Sequence, residues 1–357
     1  MEGIDLLAPS QPTLTDPEQF AKVWRTVGPL IAQLRRIGWS GIGFKRHEMD
    51  ILAAHHFNVS SIGLLLGLIL REREIPFNLE EHLVTDCIHD LSEFGGGDIG
   101  VPRAMEYPEL KAASRELETI NRQVLCEAMG KFAGDKYEAL AQKEMQQKDD
   151  EDKITKLIDR LEALLYLHRI RLNQPFTNID EAYYKTAVYP IAESIVSPEL
   201  RKIAIELVEA FITEHKEGFL GCIIKPVTTE TECRRLVRVA NELQQSKETT
   251  RTGFVMAGLN EREINTIAEH GHIVAIGLIL LAWNLEKENI PFDRELALSI
   301  ALAQELGKLY GADRSAISGP YHKEAQACTH LIRKTTVGII GRTLGSSLDD
   351  VHDPALV

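Results

Sequence analysis

The sequence predicts an all-α protein organised as two tandem helical units, the second a degenerate copy of the first. Three observations carry that expectation. Apolar residues recur at helical spacing along the chain, and no alternating strand runs stand out. A stretch of the first third returns near residue 250 with the same rare residues in the same order. The copies then diverge at one cluster of His, Asp and Glu, which only the first retains.

The elements follow in chain order. "TDPEQFAKVWRTVGPLIAQLRRI" starts with an N-cap candidate in Thr15 or Asp16 and has Pro17 just inside the helix. "IGLLLGLIL" (62–70) is the longest strongly apolar run; at half the length needed to cross a bilayer, it reads as a buried helix. "EMQQKDDEDK" (144–153) reads as a charged loop or frayed helix start. In "EDKITKLIDRLEALLYLHRIRL", Ile154, Leu157, Ile158, Leu161, Leu164 and Leu165 form one apolar stripe. The expected organisation is a catalytic unit over 1–175, a helical connector over 176–228, a degenerate unit over 229–345 and a tail over 346–357.

The repeat pairs "LRRIGWSGIGFKRHEMDILAAHHFNVSSIGLLLGLILREREIPFNLE" (34–80) with "TTRTGFVMAGLNEREINTIAEHGHIVAIGLILLAWNLEKENIPFDRE" (249–295). Arg36 falls on Arg251, Gly38 on Gly253 and Trp39 on Phe254. His56 falls on His270 and Gly63 on Gly277, and "IPFN" falls on "IPFD". The offset is 214 to 215 residues, with a one-residue gap allowed. Further on, His89 becomes Gln304, Asp90 becomes Glu305 and Glu93 becomes Lys308, while Asp98 is matched by Asp313. Scaffold residues persist where the polar constellation does not, as expected of a catalytic unit beside a degenerate partner.

Composition narrows the function classes. With 44% hydrophobic and 26% charged residues the chain is of ordinary globular make-up. A net charge of −13 argues against broad binding to a nucleic-acid polymer or an anionic membrane, but leaves room for a small phosphorylated ligand. Five scattered cysteines without a CxxC (Cys87, Cys126, Cys222, Cys233, Cys328) suggest reduced thiols and a cytoplasmic setting, and no signal peptide is read at the N-terminus.

The chemistry concentrates in "CIHDLSEFGGGD" (87–98). His56 precedes His89-Asp90, and Asp159 follows on a helix whose same face carries Thr155, Glu162 and Tyr166. Two imidazoles and two carboxylates from separate helices suit one open divalent-metal site of Mn, Co, Fe, Zn or Mg better than a closed structural zinc site. Glu162 and Lys156 read as solvated helix-face residues, His168 as a surface residue, and His270 and His272 as structural.

His…His-Asp…Asp in an all-helical chain resembles the HD-domain metal-dependent phosphohydrolase superfamily. "HDLSEFGGGDIGVP", with "LRRIGW" and "AHHFNVS", is similar to its bacterial 5′-deoxynucleotidase branch over roughly residues 20–170, with a weaker echo over 230–330. The resemblance implies two HD-type helical bundles, the second degenerate, and hydrolysis of a nucleotide phosphate ester. It implies His56, His89, Asp90 and Asp159 as ligands, Glu93 as the residue that positions or activates the attacking water, and Asp98 as a substrate contact or proton-transfer aid.

The chain departs from the pattern at two places. His55 stands where the family has a glutamate before the first His, so either His55 or His56 could be the ligand, and the repeat alignment favours His56. Gly38 stands where an arginine usually precedes the tryptophan. The phosphate contact is therefore open among Arg36, Lys45, Arg46 and Arg103, and Trp39 either stacks on a base or caps the core. No histidine occurs from Leu91 to Ile158, which favours one metal over two. The expected partner is a small phosphorylated substrate, a nucleotide above all, with homodimerisation left open. The alternative is a non-catalytic nucleotide- or partner-binding helical module that keeps a relic metal site.

Overall fold

The structure is a computed structural model. It describes residues 34–36, 45, 49–95, 107–170, 175–219, 231–251, 265–309, 330–331, 333–338 and 340. Among these the protein is all-α, and its only extended pairings are the isolated bridges Arg35–Ile51 and Thr250–Thr266. The helices are α1 (Leu52–Glu72), α2 (Leu79–Ile88), α3 (Pro108–Met129), α4 (Lys131–Met145), α5 (Asp150–Ile170), α6 (Asn178–Tyr183), α7 (Tyr189–Glu193), α8 (Pro198–Lys216), α9 (Glu232–Leu243), α10 (Ile267–Lys287) and α11 (Arg294–Leu306). A 3₁₀ turn at Leu91–Gly95 follows α2, a π turn at Tyr184–Val188 separates α6 from α7, and a second 3₁₀ turn at Gln244–Lys247 follows α9.

Local chemistry explains why "IPFN" and "IPFD" recur. α1 ends in a Schellman motif: Ile75 N–H donates to Leu70 O at 2.9 Å and Glu74 N–H to Arg71 O at 3.0 Å. Glu74 takes the left-handed conformation this requires, with φ 55°. Pro76 then bars the helix from continuing, and the Asn78 side chain caps α2 by accepting from Glu81 N–H. α10 repeats every step. Ile290 N–H donates to Leu285 O and Asn289 N–H to Glu286 O; Asn289 has φ 57°, and the Asp293 side chain caps α11.

These features are spaced by a constant 215 residues, as are the two bridges and the starts of the two long helices. The one-residue gap allowed in the sequence alignment therefore has no structural counterpart. At this constant spacing Gly63 falls on Leu278, not Gly277, and His55, not His56, falls on His270. Gly63 is glycine for a local reason: a Cβ there would lie 2.1 Å from Asp86 Oδ2 and 2.6 Å from His82 Nε2. The Gly63–Gly277 match was coincidental, and it misaligned the histidines beside it.

α1 and α10 lie against each other at the centre, α1 also packs on α11, and α10 on α2. Two contacts define this meeting. His56 and His272 share a hydrogen bond of 3.3 Å, and a Cβ on Gly271 would lie 2.4 Å from the Phe57 ring. A shift of 215 residues converts one pair into the other, so the contact is reciprocal. Both helices are long and apolar enough to cross a bilayer. Within the fold, however, 94% of the α1 apolar window and 61% of the α10 window are buried. α5 closes over α1 and α2 from the other side and is held in turn by α8. Cys87, Cys126 and Cys233 are free thiols.

Candidate metal centre

Three helices deliver the polar cluster. His55 lies in the first turns of α1, His89 and Asp90 close α2, and Asp159 is midway along α5. Each offers one nitrogen or oxygen, and these four atoms all lie within 4.8 Å of one another. His55 Nε2 stands 3.1 Å from Asp159 Oδ1, and His89 Nε2 stands 3.5 Å from Asp90 Oδ2.

The imidazoles are oriented from behind. His89 Nδ1 donates to the Asp86 carbonyl at 2.8 Å, which turns Nε2 toward the cluster and fixes the tautomer. His55 Nδ1 lies 2.5 Å from Glu162 Oε2, a carboxylate–histidine pair of the kind that supports metal ligands. His89 Nε2 is buried without a hydrogen-bond partner, a cost that a bound cation would remove. The donor set thus fits a divalent ion.

Electrostatics prepare the same groups. Burial pushes the Asp159 carboxyl up, but Lys156, with Nζ 2.8 Å from Oδ2, and His55 hold it well below the usual range. Asp90 is likewise lowered on balance, with His89 and Lys156 outweighing burial. Burial lowers His89 and keeps it neutral, the form a metal requires. His55 is opposed by burial and Arg36, yet Glu162 and Asp159 leave it raised.

The predicted residues are placed as follows. His89, Asp90 and Asp159 converge. His56 does not join them, contrary to the expectation that it would be the first ligand. One residue along the helix turns its ring by about 100°, so His56 is wedged between the His89 and His272 rings, at 4.5 and 4.7 Å between centroids. His55 takes the position instead. Glu93 lies within the 3₁₀ turn, with its N–H bonded to Asp90 O at 2.9 Å. Arg36 reaches the rim, with Nη2 3.9 Å from Asp159 Oδ1, while Lys45 is exposed. Trp39, Arg46, Asp98 and Arg103 lie outside the described residues.

Sequence reasoning missed several supporting groups. Glu162 is fully buried, not solvated. Lys156 is an ion-pair partner of Asp159, and its charge is further favoured by Asp90 and Glu144. His168 is half-buried against Phe219 and His215. Glu162 stands one helical turn beyond Asp159 on the same face, a signal that could have found it. A second set of metal-competent groups, Asp50, His55 and Glu162, already has a cation: Lys247 Nζ lies 2.7 Å from both carboxylates.

The corresponding residues of α10 and α11 make a different cluster. Lys308 Nζ lies 2.5 Å from Glu305 Oε1, and His270 Nε2 is 3.9 Å from that oxygen. Arg251 Nη1 is 3.3 Å from His270 Nδ1. An ammonium of the chain itself thus occupies the neighbourhood of Glu305, the equivalent of Asp90.

Residues 29–219, more than half of the chain, match the family model described as 5′-deoxynucleotidase YfbR-like. No curated protein and no solved structure matches the chain significantly.

Proposed function

The chain belongs to the YfbR-like 5′-deoxynucleotidase family, and from that premise we propose that it is a metal-dependent phosphohydrolase releasing phosphate from a nucleoside 5′-monophosphate. The observation that carries this reading is the convergence of His55, His89, Asp90 and Asp159 within 4.8 Å. These four residues would hold one divalent ion. When bound, the ion supplies a Lewis acid that acidifies water and polarises a phosphoryl oxygen.

The remaining work falls to the protein. Glu93, directly after the ligand pair, accepts the proton of the attacking water. Arg36 at the rim offsets charge on the phosphate oxygens. Lys156 keeps Asp159 ionised and steadies one of its two oxygens. In this reading residues 1–175 form the catalytic unit, 176–228 the connector and 229–345 a fused partner that covers the α1 face in place of a second copy. The reciprocal contacts between α1 and α10 support that arrangement.

The test is phosphate release from deoxyribo- and ribonucleoside 5′-monophosphates with Mn²⁺, Co²⁺, Mg²⁺ or Zn²⁺. Release should need a metal and should be lost in both Asp90→Ala and Glu93→Ala. Absence of release from every substrate by a chain that holds its metal would refute the reading.

A further inference from the structure

His55 is held by a chain of contacts that ends far from the catalytic helices in sequence. Glu162, fully buried, gives Oε2 to His55 Nδ1 at 2.5 Å. Its other oxygen, Oε1, accepts from Lys247 Nζ at 2.7 Å and from Gln244 Nε2 at 2.9 Å, with Asn58 Nδ2 at 3.5 Å. Lys247 also pairs with Asp50 Oδ2 at 2.7 Å and stands 4.3 Å above the centre of the Tyr166 ring. Between them in sequence, Ser246 Oγ donates to Asn58 Oδ1 at 2.9 Å. Gln244, Ser246 and Lys247 belong to the 3₁₀ turn after α9, beyond residue 219 where the family match ends.

We propose that Lys247 and Gln244 are positioning residues for the metal centre: from outside the family-matched stretch they hold Glu162, and through Glu162 they set the orientation of His55. The inference rests on the metal reading of the preceding section. A histidine presents Nε2 to a metal only when Nδ1 keeps its proton and the ring is held in plane, and a carboxylate acceptor does both. A carboxylate bonded through one oxygen alone can still turn, because the terminal torsion of glutamate is broad. Two donors on the second oxygen remove that freedom. Lys247 does more, since its ammonium, 2.7 Å from Oε1, balances the charge of a buried Glu162. The stretch matched by the family model therefore contains the ligands but not all of the groups that aim them.

The test titrates the full chain with Co²⁺ against a chromophoric chelator and records the visible absorption of the bound ion, independently of turnover. Lys247→Met should weaken Co²⁺ binding by about 10–100-fold and alter the spectrum, as loss of an outer-shell partner does. Gln244→Ala, which leaves every charge in place, should weaken it several-fold. The conservative variant Lys247→Arg, which keeps a cation between Asp50 and Glu162, should restore both affinity and spectrum. A folded Lys247→Met with wild-type affinity and spectrum overturns the inference. Should that variant not fold, Gln244→Ala with unchanged affinity and spectrum overturns it equally. A wild-type chain that takes up no Co²⁺ overturns the metal reading along with it; wild-type uptake with unaltered variants overturns this inference alone.

Discussion

Residues 89–93 and 304–308 sit at the same place in two helix pairs of the same construction, and their chemistry is opposite. In the first, His89 and Asp90 join His55 and Asp159 in a set of donors that could hold a metal ion, with Lys156 paired to Asp159. In the second, Lys308 brings the cation covalently and pairs with Glu305. The backbone around them is the same in kind: the same Schellman ending, the same left-handed residue and the same capped second helix. A metal-competent cluster and a salt bridge are thus alternative ways to satisfy a carboxylate at this place, half-buried as Asp90 or buried as Glu305.

The comparison can be broken most sharply at the paired acids. Asp90→Ala should lower phosphate release by on the order of 10³-fold, at least the cost of losing one preorganised electrostatic contact. Glu305→Gln should leave the turnover of folded protein within about twofold. Equal losses at the two positions would mean that the second cluster takes part in the chemistry. Next in size is the choice between adjacent histidines. His55→Ala should abolish stoichiometric metal uptake measured by elemental analysis, and His56→Ala should retain it. The reverse result would restore the alignment-based assignment.

Stability should show the opposite asymmetry. Lys308→Met leaves Glu305 buried without its ammonium and should cost about 3 kcal/mol in urea unfolding, whereas Glu93→Gln should change stability by less than about 0.5 kcal/mol. The last effect is one of pH. Glu269, which stands where the first helix has Ala54, is pushed up from its ordinary value to about 7, chiefly by burial. A carboxyl with a raised folded-state pKa binds more protons folded than unfolded, so its contribution to stability is lost as pH rises from the ordinary value toward 7. Glu269→Gln should therefore match wild type at pH 4 and exceed it by roughly 3 kcal/mol at pH 8. A constant difference between the two would remove the titration from the account.

What the sequence disclosed follows from which signals are local. His89 and Asp90 could be singled out because they are contiguous, and Asp159 because its helix has a clean apolar stripe; the structure brings these three together with His55. The long helices and the "IPFN" and "IPFD" caps were legible because capping chemistry is written within a few residues. His56 was favoured over His55 because two glycines matched by coincidence, and a helix tolerates no inserted residue without turning every later side chain. Glu162 and Lys156 were misread because a charged residue on a helix looks solvated until its partner is known. Lys247 offered no signal at all, since its partners Asp50 and Glu162 lie far away along the chain.

The reciprocal contact between α1 and α10 carries one more consequence. In a symmetric pair of identical chains every substitution at the axis is made twice, so a large ring can be accommodated only if its symmetry mate is accommodated too. Here one side of the axis joins Phe57 to Gly271 and the other joins His56 to His272. Each side has its own solution, bulk against space on one and two imidazoles on the other. Covalent continuity has uncoupled the two contacts, and either can be altered without altering its mirror image.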